Sequence, residues 1–179
     1  GTLPTYGASQ FLFNPDRPPV VSATADFNCD GLMDVLVANG DGSSTTYPVT
    51  VLLANGLGSF VDGTSQVIDG SPHQTKYPSG IVLADFNGDG RPDVFIPDQA
   101  NQSGGSAGYQ NTLLLSTSNC QLTDGTAGIP QQQDFTWGAD AADVDGDGDV
   151  DLIVVNDWGP SPPVPMQLWL NDGSGHFSI

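Results

Sequence analysis

The chain repeats itself three times, and no other property restricts its fold as strongly. Ala25-Asp-Phe-Asn-Cys-Asp-Gly-Leu-Met-Asp34 returns as Ala84-Asp-Phe-Asn-Gly-Asp-Gly-Arg-Pro-Asp93 and again as Ala142-Asp-Val-Asp-Gly-Asp-Gly-Asp-Val-Asp151. The first Asp falls at 26, 85 and 143, a spacing of 59 and then 58 residues. Each copy runs into an apolar stretch (Val35–Ala38, Val94–Pro97, Leu152–Val155) and then reaches a second landmark at Thr50–Asn55, Thr112–Ser116 and Gln167–Asn171. A third landmark aligns Phe60–Thr64 with Leu122–Thr126, and Phe177 stands where its third copy would begin. The segments between landmarks vary in length and are rich in Gly, Ser, Pro, Asn and Gln, as loops are.

Each unit therefore reads as four short strands: one before the Asp motif, one after it, one at the second landmark and a short fourth. No stretch keeps helical periodicity for more than about two turns. The expected fold is all-β, with three tandem four-stranded antiparallel blades of the β-propeller type. A β-sandwich with coincidental repeats is the weaker alternative. The boundaries are residues 1–19 for an N-terminal extension, 20–61 for blade 1, 62–123 for blade 2 and 124–179 for blade 3. With Gly1 in place of Met, a processed or excised segment is the expectation.

Charge narrows the function. The chain has 21 acidic residues, all Asp, against 3 basic ones, a net charge of −18. Nucleic-acid binding needs a basic footprint that Arg17, Lys76 and Arg91 cannot supply, and attraction to an anionic membrane surface fails for the same reason. No apolar run approaches the roughly 20 residues of a membrane span, so membrane insertion is not expected.

The Asp motif has the arrangement of a cation loop. Asp-x-[Asn/Asp]-x-Asp-Gly-x-x-Asp sets oxygen ligands at positions 1, 3, 5 and 9, and the carbonyl of position 7 completes the set. The candidate ligands are Asp26, Asn28, Asp30, Leu32 and Asp34 in loop 1, and Asp85, Asn87, Asp89, Arg91 and Asp93 in loop 2. Loop 3 offers Asp143, Asp145, Asp147, Asp149 and Asp151. Calcium takes six to eight oxygens at about 2.3–2.6 Å, and Gly at position 6 permits the sharp turn. An EF-hand closes with Glu at position 12; here position 12 is Val37, Ile96 or Val154, inside an apolar strand. Ordinary Asp/Gly turns would leave five carboxylates within nine residues of loop 3 repelling one another. No thiolate or imidazole joins the set, which favours Ca²⁺ over softer metals. Three Ca²⁺ sites with a structural role are expected, in an extracellular setting where calcium is abundant.

The motif, followed by Leu-Leu-x-Asn-Gly-x-Gly-x-Phe, resembles the FG-GAP/VCBS repeats that form the blades of integrin α-type propellers, over nearly the whole chain. That resemblance implies calcium in each Asp loop, a secreted or cell-surface location, and roles in adhesion, recognition or as an accessory domain of secreted enzymes. Cys29 replaces the usual Gly at position 4 of loop 1, and the second copy lacks the Asn-Gly-x-Gly turn.

Three blades do not close a propeller, so further blades or copies of the chain are the expected partners. Gln10-Phe-Leu-Phe-Asn14 matches Gln167-Leu-Trp-Leu-Asn171, and residues 6–14 form a candidate spare strand for addition to a neighbouring blade or a filament. The connections opposite the Asp loops gather Tyr47, His73, Lys76, Tyr77, Tyr109, Trp137 and Trp158, a surface suited to a glycan or protein ligand. Trp137, just before a strand, is expected to fill the core between blades. No nucleophile elbow, phosphate-cradling loop or metal-spaced His pair is present, so the chain is read as non-enzymatic. A lectin-like module and the accessory propeller of a secreted enzyme are the alternatives. Cys29 and Cys120 fall on the same predicted face and are permitted to bond. Asn101-Gln-Ser103 is a glycosylation sequon.

Overall fold

A computed structural model describes residues 19–41, 45–99, 109–132, 135–156 and 166–179. The candidate strand at 6–14, Asn101 and Trp158 lie outside those residues. The first unit contains β1 (Pro19–Ala25), β2 (Asp34–Asn39), β3 (Tyr47–Pro48), β4 (Thr50–Ala54) and β5 (Phe60–Asp62). A single helical turn, α1 (Thr64–Val67), and β6 (Gln74–Thr75) lead into the second unit: β7 (Val82–Ala84), β8 (Asp93–Ile96), β9 (Thr112–Ser116) and β10 (Leu122–Asp124). The third comprises β11 (Thr136–Ala142), β12 (Asp151–Asn156), β13 (Gln167–Asn171) and β14 (Phe177–Ser178).

These strands form three four-stranded antiparallel sheets, β1-β2-β4-β5, β7-β8-β9-β10 and β11-β12-β13-β14, and a two-stranded ribbon, β3-β6. The registers coincide from unit to unit. Leu36 pairs with Val51, Phe95 with Leu113 and Ile153 with Leu168, each two residues past the last Asp of its loop. Successive strand residues point to opposite faces, and the middle sheet uses both. Val94, Ile96, Leu114 and Leu122 pack against Leu36, Ala38, Val51 and Leu53 of the first sheet. Phe95 and Leu113 pack with Leu152, Val154 and Trp169 of the third. Phe95 meets Trp169 edge-on, with ring centroids 5.8 Å apart.

Each sheet thus offers one strand face to its predecessor and the other to its successor. Position 2 of each Asp loop follows the same rule. Phe27 is buried between the first and second sheets, and Phe86 between the second and third. Their counterpart Val144 is 42% exposed, and on the same outward side Leu168 is 43% and Val155 44% exposed.

Trp137 corrects the expectation from sequence. It stands at the register shift between Thr136 and Gly138 in β11 and is 56% exposed. A bulge residue drops out of the inward–outward alternation, so Trp169, not Trp137, fills the core.

The Asp-Gly-Thr landmarks also find their reason. Gly63 N–H donates to Val51 O and Gly125 N–H to Leu113 O, which lays each turn across the third strand of its unit. The Thr64 and Thr126 hydroxyls then accept the N–H groups of Val51 and Leu113.

Candidate metal centre

All three Asp loops join the first and second strands of a sheet and share one hydrogen-bonded scaffold. The position 1 carboxylate accepts two backbone N–H groups of its own loop: Asp30 and Gly31 to Asp26, Asp89 and Gly90 to Asp85, and Gly146 and Gly148 to Asp143. Position 3 accepts the N–H of position 5 through Asn28, Asn87 and Asp145 at 3.0–3.1 Å. Position 5 accepts the N–H of position 7 through Asp30, Asp89 and Asp147. Such side-chain-to-backbone turns are what Asp and Asn favour.

Position 9 does something the sequence reading did not anticipate. Asp34, Asp93 and Asp151 are fully buried. One oxygen of each accepts the N–H of position 2: Phe27 at 3.0 Å, Phe86 at 2.7 Å and Val144 at 3.0 Å. The other accepts the N–H at or just beside the end of the third strand: Ala54 at 2.9 Å, Ser116 at 2.6 Å and Asn171 at 2.8 Å. The same carboxylate that would serve an ion therefore fastens the loop to its sheet. An ionised carboxylate has about four lone-pair sites, so the two backbone contacts at Asp34 and at Asp151 leave capacity for a cation; Asp93, which also accepts the Asn87 N–H at 3.1 Å and the Ser116 hydroxyl at 2.6 Å, is the most fully engaged of the three. Ser116 and Asn171 belong to this anchor and were passed over in the sequence because their side chains lie outside the motif. Burial pushes the Asp93 carboxyl up, against hydrogen bonds from Ser116, Phe86 and Asn87 that pull it down.

Loop 3 is the most concentrated. Oxygen atoms of Asp143, Asp145 and Asp151 lie within 4.8 Å of one another. Ligands about 2.3–2.6 Å from a common ion stand at most about 5.2 Å apart, so this spacing suits calcium. Desolvation, followed by the charges of Asp147, Asp172, Asp143 and Asp151, pushes the Asp149 carboxyl up. Asp172 comes from the β13–β14 turn, which closes over the loop so tightly that a Cβ on Gly173 would stand 2.6 Å from Asp149. In loops 1 and 2 position 3 is Asn, and three carboxylates do not gather in this way among the described residues.

Loop 1 is joined to the β9–β10 turn of the second sheet through the Cys29–Cys120 disulfide, Cα–Cα 5.8 Å. Both cysteines adopt left-handed φ, 61° and 56°. The equivalent residues of the other units are glycines with φ of 73–84°: Gly88 and Gly146 for Cys29, and Gly58 and Gly175 for Cys120. Beside the bond lies a small cavity lined in part by Asp26, Arg91, Ser116 and Gln121.

At the other end of the sheets, Lys76 lies 4.5 Å above the Tyr109 ring. The Lys76 and Tyr77 N–H groups are held by the buried Asp98 carboxylate. Desolvation first, and Asp98 second, push the Tyr109 phenol up.

Residues 26–96, which contain the first two Asp loops, match the family described as FG-GAP-like repeat. That segment of the chain belongs to this family. The chain is also similar to phosphatidylinositol-glycan-specific phospholipase D of Rattus norvegicus, 29% identical over 163 residues. The match takes in 78% of this chain but spans only 18% of that protein.

Proposed function

We propose that the chain is a calcium-stabilised, non-catalytic set of propeller blades that serves adhesion or assembly outside the cell. The observation that carries the reading is the convergence of Asp143, Asp145 and Asp151 within 4.8 Å in a loop of hard oxygen donors. When bound, calcium would neutralise the clustered carboxylates. The residues to hold it are positions 1, 3, 5 and 9 of each loop, on a scaffold already shaped by backbone N–H contacts. At about ten times Kd each filled site adds about 1.4 kcal/mol of stability. Asp145→Ala should therefore lower the melting temperature in calcium and leave it unchanged in EDTA. Equal destabilisation in both buffers would refute a metal role for that residue.

Propeller geometry is supported by the shared register and the front-to-back use of sheet faces. Val144, Val155 and Leu168 are exposed where Phe86, Pro97 and Leu113 of the preceding unit are buried. A further repeat, from the same polypeptide or a second copy, would cover them. Leu168→Asp should then weaken association without lowering the stability of the isolated chain. The Cys29–Cys120 bond favours an oxidising, extracellular compartment.

A second reading, the accessory domain of a secreted enzyme, draws on the partial likeness to a phospholipase D. A catalytic domain on the same polypeptide would establish it.

A further inference from the structure

The three Asp loops share a scaffold but not a charge, and the difference is concentrated at positions 3 and 7. Position 7 enters the ligand set through its main-chain carbonyl, so its side chain is free to vary. It is Leu32 in loop 1, Arg91 in loop 2 and Asp149 in loop 3. We infer that Arg91 is a built-in counter-ion that makes loop 2 the weakest of the three calcium sites, so that the loops fill in sequence, loop 3 first and loop 2 last. This rests on the calcium reading above.

The geometry is specific to loop 2. Arg91 Nη2 donates to Asp89 Oδ2 at 2.9 Å. The second oxygen, Oδ1, accepts the Arg91 N–H at 2.9 Å. Both oxygens of the position 5 carboxylate are thereby engaged, one of them by a full positive charge. In loop 1 the corresponding Asp30 Oδ2 meets only the neutral amide of Asn28. In loop 3 Asp147 accepts a backbone N–H, and the neighbouring position 7 is another carboxylate.

Arg91 reaches Asp89 from the cavity beside the disulfide, and its Nε–H is buried there without an acceptor. The guanidinium is thus held chiefly by the carboxylate and is not locked by a full set of partners, which fits a charge that competes with an ion. Summed over positions 1, 3, 5, 7 and 9, the side chains carry −3 in loop 1, −2 in loop 2 and −5 in loop 3. Affinity in oxygen-ligand calcium loops rises with the number of ligand charges. One extra positive charge roughly 5 Å from a divalent ion, in a water-like dielectric, weakens binding on the order of tenfold.

The test is calcium titration of the whole, chelator-stripped chain by competition with a fluorescent chelator, for the wild type, Arg91→Gln and Asp85→Ala. The wild type should show one site weaker than the other two. Asp85→Ala should remove that weak site, and Arg91→Gln should tighten it by about tenfold. Loss of a tight site in Asp85→Ala, or an unchanged weak site in Arg91→Gln, overturns the inference while calcium binding itself stands. Absence of binding in the wild type refutes the calcium reading and this inference with it. If circular dichroism shows Arg91→Gln unfolded, Arg91→Leu, which places the uncharged residue of loop 1 at this position, should give the same tightening of about tenfold. An unchanged weak site in a folded Arg91→Leu then overturns the counter-ion role.

Discussion

Replacing Cys29 and Cys120 together by glycine separates what their bond contributes from what their backbone costs. The bond links residues 91 apart in sequence, and in the chain-entropy description a loop of that length stabilises the fold by about 4–5 kcal/mol. Against this, both cysteines hold φ near +60°, a conformation that costs a non-glycine residue roughly 1 kcal/mol each. Relative to the double-glycine variant, the oxidised protein therefore gains about 2–3 kcal/mol. The reduced protein keeps the strain without the cross-link and lies about 2 kcal/mol below that variant. For a chain of this size each kcal/mol shifts the melting midpoint by about 2–4 °C. Melts followed by circular dichroism in EDTA should rank the oxidised protein highest. The double-glycine variant should follow about 5–10 °C lower, and the reduced protein lower again by about 4–8 °C. A double-glycine variant that melts below the reduced protein, or level with the oxidised one, would refute the reasoning.

The position 9 carboxylates should behave unlike the other loop residues. Asp34→Ala leaves the buried N–H groups of Phe27 and Ala54 without their acceptor and should destabilise by about 1–3 kcal/mol in EDTA as well as in calcium; a loss confined to calcium buffer would show that the anchor contributes little. In the core, Trp169→Ala removes the ring packed on Phe95 and should cost about 3–5 kcal/mol by chemical denaturation; a cost below 1 kcal/mol would contradict the packing. Tyr109 should ionise above the ordinary tyrosine range in ultraviolet titration of the folded protein, and Asp98→Asn should lower that value. Because the folded-state value is raised, the associated stability is present below about pH 10 and is lost as pH climbs through the folded value. Tyr109 ionising together with the other tyrosines would refute this.

The strand layout was legible because the repeat supplied three registered copies, so a motif ambiguous once became clear on comparison. Asp34, Asp93 and Asp151 mark the start of the second strand in every unit, and the apolar runs after them are the strands that fill the core. The anchoring role of those same residues was not legible, since their partners Ala54, Ser116 and Asn171 lie about 20 residues away and take part through backbone N–H groups, joined at Ser116 by its hydroxyl. Trp137 was misplaced because a bulge leaves no signature in a seven-residue strand of Thr, Trp, Gly, Ala and Asp. The cysteine pairing stayed open in the sequence, although both residues replace glycines of the repeat. Only three-dimensional proximity links a loop of one sheet to a turn of the next.

The backbone anchoring of Asp34, Asp93 and Asp151 has a consequence for biogenesis. Each loop is tied to its own sheet by backbone groups of the protein itself, so pairing of the strands would not have to wait for a metal. Under the calcium reading proposed above, uptake of the ion would be a late tightening of the loop tips.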